Sequence, residues 1–261
     1  MGKFIFFKVL CLSLLVSSAW AKETLRVSVF HFPPHVFSEH KVLPTGPGVE
    51  FIQEYLLPEK NWTISWRTTD FARILEDLKN NKTDVAMYYS KTPDREKIVS
   101  YSETSLMTTV SAVIVKKDST LDFSKPERLP KNLILSRNIG TVIPESFKKA
   151  GVRFEDLRGE DIFNRSIQLI RTGRTQGYYI PTKGNALYEL EKQNLSKEFK
   201  VLQVPGEPLE LYVIFRKDLP RNQIDVISRN LQEHRERYQK LLQKRYPFQL
   251  QPELKWHITT R

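Results

Sequence analysis

From Leu25 onward the chain alternates short apolar strands with helical stretches, and this alternation limits the folds open to it. Leu25 to Phe30 alternates as a strand and runs into Pro33-Pro34, which cannot continue a ladder and force a loop. Val49, Ile52, Tyr55 and Leu56 then take helical spacing up to Pro58. Ile64 to Arg67 is a second strand, and Asp70 can cap a helix carrying Phe71, Ile74, Leu75 and Leu78. Asp84 to Tyr89 and the β-branched run Val110 to Val115 are further strands, the latter apolar enough to be buried on both faces. This order predicts a parallel sheet flanked by helices, with ligands beyond the carboxyl ends of its strands, near Phe32, Phe71 and Tyr88 to Ser90.

A second α/β unit follows. It reads as strand Leu133 to Ser136, a helix from Pro144 to Gly151, helix Asn164 to Gly173, strand Gly177 to Ile180 and helix Asn185 to Glu191. Strand Leu211 to Arg216 precedes a long helix from Pro220, whose apolar positions Ile224, Ile227, Leu231, Tyr238 and Leu241 recur until Pro247. No internal repeat or low-complexity segment interrupts the pattern.

Residues 1–21 are of another kind. Lys3 and Lys8 precede an apolar run, and Ala19-Trp20-Ala21 supplies the small residues a signal peptidase needs, so cleavage after Ala21 is expected. The one cysteine, Cys11, lies inside this segment and is preceded by Val9-Leu10, which does not suit lipid anchoring. The remaining chain has no cysteine for a disulfide framework, and this points to a soluble bacterial periplasmic protein with a self-sufficient core.

The formal net charge is +11, thickest on the last helix at Arg229, Arg235, Arg237, Lys240, Lys244 and Arg245, interleaved with acids. Such interleaving reads as a solvated face, with a contact to an anionic membrane surface or an acidic partner as the alternative, and outside the cytoplasm nucleic acid is not an expected partner. His31, His35 and His40 share a loop, but their spacing matches no ordinary zinc pair, and neither metal nor cofactor is predicted. No Gly-x-Ser-x-Gly elbow, His-Glu-x-x-His or glycine-rich phosphate loop occurs.

Several segments together resemble the family 3 bacterial extracellular solute-binding proteins, the periplasmic components of polar amino-acid uptake systems. They are Leu25-Arg26-Val27 with Phe32-Pro33-Pro34, Asp84-Val85 followed by Ser90-Lys91-Thr92-Pro93-Asp94-Arg95, Val99-Ser100-Tyr101-Ser102, Leu169 through Gly173-Arg174, and Tyr238, Leu241, Leu242 and Tyr246. The resemblance implies a two-lobed α/β fold of the type II periplasmic-binding kind, each lobe a central sheet flanked by helices, with two hinge crossings near Leu106 to Val110 and Glu207 to Leu211. Residues 1–21 would be the signal peptide, 22–108 the first part of lobe 1, 109–208 lobe 2, and 209–261 the completion of lobe 1.

By the same resemblance, Arg95 would bind the carboxylate of a small anionic or amino-acid-like solute, its planar fork matching both oxygens. Ser90 would hydrogen-bond the ligand, Phe32 and Phe71 would wall it, and Tyr88 would face the cleft, a role strand alternation gives equally to Tyr89. Gly140-Thr141 would open a helix whose amides receive a carboxylate. The partners implied are the solute and an inner-membrane permease or sensor, with the protein itself a monomer.

One departure bears on the ligand. Amine-binding members place an aspartate after a Gly-Arg-x-Asp strand, and here Gly173 to Pro181 puts a proline near that position. A buried ammonium without a carboxylate would be costly, which tilts the expectation toward a carboxylated solute without a required α-amine. Two other readings stay open, a sensory or interaction module on the same fold and a dehydratase-like enzyme.

Overall fold

The structure, a computed structural model, describes residues 22–38, 43–58, 62–206 and 208–246. The expected signal with Cys11 and its cleavage site, His40, Glu207 and the helix stop at Pro247 lie outside the described residues.

The strands are β1 (Glu23–Val29), β2 (Trp62–Thr68), β3 (Val85–Tyr89), β4 (Val99–Tyr101), β5 (Met107–Thr109), β6 (Ala112–Lys116), β7 (Ile134–Asn138), β8 (Arg153–Leu157), β9 (Gly177–Ile180), β10 (Phe199–Gln203) and β11 (Leu209–Arg216). The helices are α1 (Pro47–Phe51), which continues as a π-helical turn over Ile52–Leu56, α2 (Phe71–Lys79), α3 (Pro93–Glu96), α4 (Glu145–Lys149), α5 (Ile162–Arg171), α6 (Lys183–Lys192) and α7 (Arg221–Arg245). Asp70 caps α2 as expected, accepting from the Arg73 amide at 3.0 Å.

Two sheets form. The first runs β2-β1-β3-β11-β4, with β5 also paired to β11, and the second runs β10-β6-β9-β7-β8. The expectation of one parallel sheet is corrected on two counts. β1, β2 and β3 are parallel, but β11 enters antiparallel between β3 and β4. The Val110 to Val115 run becomes β6, which belongs to the second sheet and is antiparallel to both of its neighbours.

Burial explains the apolar run of β6. Ala112 and Ile114 face a core under α5 and α6, while Val113 and Val115 face another containing Phe123, Phe147 and Tyr179. The strand is covered on both faces, so its sequence shows no polar alternation. In the first lobe, Ile224, Ile227, Leu231, Tyr238 and Leu242 of α7 pack into the core around β1, β3 and β11. Each such buried side chain stabilises the lobe by about 1.5–3 kcal/mol. The outer face of α7 keeps its charges in solvent or paired, as with Arg245 on Glu50 and Arg221 on Asp225.

The chain passes between the sheets at β5 and at the start of β11. These two segments pair antiparallel, Leu209 opposite Thr109 and Leu211 opposite Met107. A two-stranded ribbon therefore joins the halves.

Candidate functional site

The Ser-Lys-Thr-Pro-Asp-Arg segment begins where β3 ends. Thr92 caps α3, Pro93 supplies its first residue, and the Thr92 hydroxyl accepts from the Arg95 amide at 3.3 Å. This single turn curls the Arg95 side chain back toward β3. There Nη1 donates to the Ser90 hydroxyl at 2.7 Å and to the Ser90 carbonyl at 2.8 Å.

The guanidinium lies 5.4 Å from the centre of the Tyr89 ring and 5.6 Å from that of Phe71. Those two rings stack on each other at 4.6 Å, and the Tyr89 hydroxyl donates to the Phe71 carbonyl. Arg95 is 6% exposed, and burial draws its pKa below the usual arginine value, against the pull of Tyr89 and Tyr101. A guanidinium stays charged under such a shift, so the site presents a desolvated cation. Its Nη2 crosses to the second lobe and donates to the Gly140 carbonyl at 2.7 Å.

Arg95, Ser90 and Phe71 are thus brought together. Phe32 stands beside them in one aromatic cluster, since Phe30 contacts both Phe32 and Phe71. Tyr88 is placed differently. Its φ is +71°, and the register with β11 slips between Tyr212 and Val213, leaving Tyr88 as the extra residue of a bulge. Its hydroxyl is bonded to that of Tyr238 at 2.8 Å inside the first lobe, while its ring still touches Phe32. It is Tyr89 that lies against the arginine.

Gly140-Thr141 does not open a helix. It forms a turn in which the amide and hydroxyl of Thr141 both donate to the Asn138 carbonyl, and α4 starts only at Glu145. The Thr141 amide is therefore engaged within the turn. What this loop offers the cleft is the Gly140 carbonyl. Gly140 has φ +85°, and a β-carbon there would lie 3.6 Å from the Phe71 ring.

His35 is a core residue. It is 2% exposed, stacks on Phe32 at 4.8 Å and is hydrogen-bonded through Nδ1 to the Tyr238 hydroxyl, and burial pulls its pKa to about 3. Among the described residues no group of three His, Cys, Asp or Glu side chains gathers as a metal site would.

Other contacts between the lobes had no signal in the sequence. Asn185, at the start of α6, donates its side-chain amide to the Pro33 carbonyl. Glu189, one turn on and 7% exposed, faces His31 at 4.0 Å and accepts from Gln193 at 3.2 Å. Pro181, near the position of the expected amine-binding aspartate, lies between β9 and α6, so the buried carboxylate of this region is Glu189.

The family model of the bacterial extracellular solute-binding proteins, family 3, matches residues 25–248. Among solved structures the chain is similar to an amino acid ABC transporter substrate-binding protein from Streptococcus pneumoniae bound to L-arginine, at 18% identity and TM-score 0.70, over 85% of this chain and 93% of that one. An ancestral arginine-binding protein bound to arginine is 23% identical with TM-score 0.68, over 86% and 99%. An ancestral amino acid-binding protein described as a precursor of cyclohexadienyl dehydratase is 21% identical with TM-score 0.68, over 85% and 94%. A search of curated proteins gave no match. At these identities the structural likeness speaks for the fold, which is the two-lobed type II periplasmic-binding architecture.

Proposed function

Because the chain belongs to the bacterial extracellular solute-binding proteins of family 3, we propose that it is a non-enzymatic periplasmic binding protein that captures a small carboxylated, amino-acid-like solute for ABC-type uptake. Residues 22–108 and 209–261 are read as lobe 1, residues 109–208 as lobe 2, and the β5–β11 ribbon as the hinge. No helix among the described residues is long and apolar enough to cross a membrane. As in the family to which the chain belongs, delivery would fall to a separate inner-membrane permease.

The observation that carries this reading is the setting of Arg95. Ser90 fixes one arm of the fork, the Phe71 and Tyr89 rings exclude water, and the other arm points across the cleft at an acceptor oxygen. Charge-assisted bonds in such a desolvated place are stronger than at a surface. A solute carboxylate would take the place of the Gly140 carbonyl when the lobes part to admit it.

The test is a thermal-shift panel of succinate, 2-oxoglutarate, L-glutamate and L-arginine on the wild type and on Arg95→Lys, which keeps the charge but loses the fork. A carboxylate that raises the wild-type melting temperature and acts much less on the variant supports the reading. Absence of any shift, or equal shifts in both proteins, would sink it.

The Arg95 to Gly140 bond also favours a second reading, in which the fold keeps one closed shape and signals to a partner. It is selected if none of these solutes shifts the melting temperature while the radius of gyration stays that of the closed shape.

A further inference from the structure

Helix α6 turns two adjacent faces toward the rest of the protein. Ala186 and Leu190 enter the core of the second lobe. Asn185, Tyr188, Glu189 and Lys192 fall at i, i+3, i+4 and i+7 and form a neighbouring strip along the helix. The strip meets the first lobe along its whole length. Asn185 donates to the Pro33 carbonyl, and Glu189 faces His31. The Tyr188 ring lies 6.0 Å from that of Phe37 and 5.5 Å from that of Tyr246, perpendicular to the latter, while the Lys192 ammonium sits 5.5 Å from the centre of the Phe37 ring.

We infer that this strip of α6 is a latch that closes the lobes through the protein's own contacts, so that a solute carboxylate must compete with the Gly140 carbonyl for Arg95. The regulatory half of this inference rests on the solute-binding reading above; the latch itself does not. Its contacts come from one rigid helix face against one loop and the end of α7, so they form and break together when the ribbon flexes. A closed state that already occupies Arg95 lowers apparent affinity in proportion to the fraction of molecules left open. The latch would thereby set how much solute is needed to load the protein.

Paired spin labels decide it. Cys11 is the only cysteine, and with Cys11→Ser in place, Arg73→Cys on α2 and Lys148→Cys on α4 put labels at exposed positions on opposite lobes. Without added solute the distance should be short and narrowly distributed. Asn185→Ala with Tyr188→Ala should lengthen and broaden it, whereas Leu187→Ala, on the outer side of α6, should not. Lys192→Ala removes only an exposed side chain and should act in the same direction, so the test survives if the double variant fails to fold.

A long, broad distance in the parent before solute is added would overturn the latch. So would a short distance that the strip variants leave unchanged. The two proposals fail separately. If none of succinate, 2-oxoglutarate, L-glutamate and L-arginine shifts the melting temperature while the short distance persists, the solute reading falls and the latch stands. Binding of one of them to a parent with a long ligand-free distance gives the reverse.

Discussion

The Nδ1 of His35 and the hydroxyl of Tyr238 are hydrogen-bonded in the interior of the first lobe, joining the proline loop to α7 across 203 residues of sequence. The same hydroxyl meets that of Tyr88 at 2.8 Å, so three buried polar groups satisfy one another. Tyr238→Phe removes the shared atom and leaves His35 and Tyr88 without it. The expected cost is about 1–3 kcal/mol, read as a lower urea midpoint with the m-value unchanged.

His35 also makes stability depend on pH. Burial holds its folded pKa at about 3 against an ordinary 6.5. The unfolded chain takes up this proton near pH 6.5, while the folded chain refuses it until near pH 3. Stability should therefore fall as pH drops through that window, by up to about 1.4 kcal/mol per unit from this group. Urea midpoints at pH 7, 6, 5 and 4 check it, because His35→Gln should show a slope shallower by one proton.

Arg95→Ala should weaken carboxylate binding by roughly 30-fold or more, since truncating one partner of a buried charged pair costs about 2–5 kcal/mol. It should also lower the melting temperature of the solute-free protein, because the guanidinium is bonded to Ser90 and Gly140 and lies against two rings. Calorimetric titration with the best solute of the panel, beside a thermal melt of each protein, separates the two effects. Binding undiminished in the variant would remove Arg95 from the site.

Asp84 ties three strands of the first sheet. Its carboxylate accepts from the backbone amide, Nε and Nη2 of Arg26 on β1 at 2.6–2.9 Å, and from Nε of Arg216 on β11 at 2.7 Å. Burial pushes its pKa up, but the arginine bonds outweigh that and hold it below the usual carboxylate value. Asp84→Asn keeps the shape and loses the charge, and should cost about 1–3 kcal/mol in denaturant midpoint at pH 7. The difference should shrink in acid, where the aspartate is itself protonated.

The sequence was legible where one local rule acted alone. β9 occupies the span expected from Gly177 to Ile180, and α7 shows its apolar stripe because it lies on a single core. β4 and β5 are three residues each, too short to show a period, while β8 and β10 are sheet edges whose charged and polar residues hide the pattern. Ser90 and Arg95 stand out in the sequence only through the family resemblance; that they bond each other follows from the capped turn, which brings residues five apart together. Tyr88 could not be told from Tyr89, since the bulge breaks the alternation on which such a choice rests. Asn185 and Glu189 were out of reach because they meet partners more than 150 residues away, across a gap that no periodicity marks.

The place of β11 bears on how the molecule is made. Every strand of the second sheet comes from one continuous stretch, residues 112–203, whereas β3 waits for a neighbour that the ribosome supplies only at residues 209–216. In a chain threaded N-terminus first, the inserted half has all its parts before the enclosing half does. Released fragments ending at residue 206 should resist protease over 112–203 and be cut freely between 23 and 110. The unfinished edge of β3 is then what a holding chaperone would have to cover during transit, until the last segment arrives and seals it.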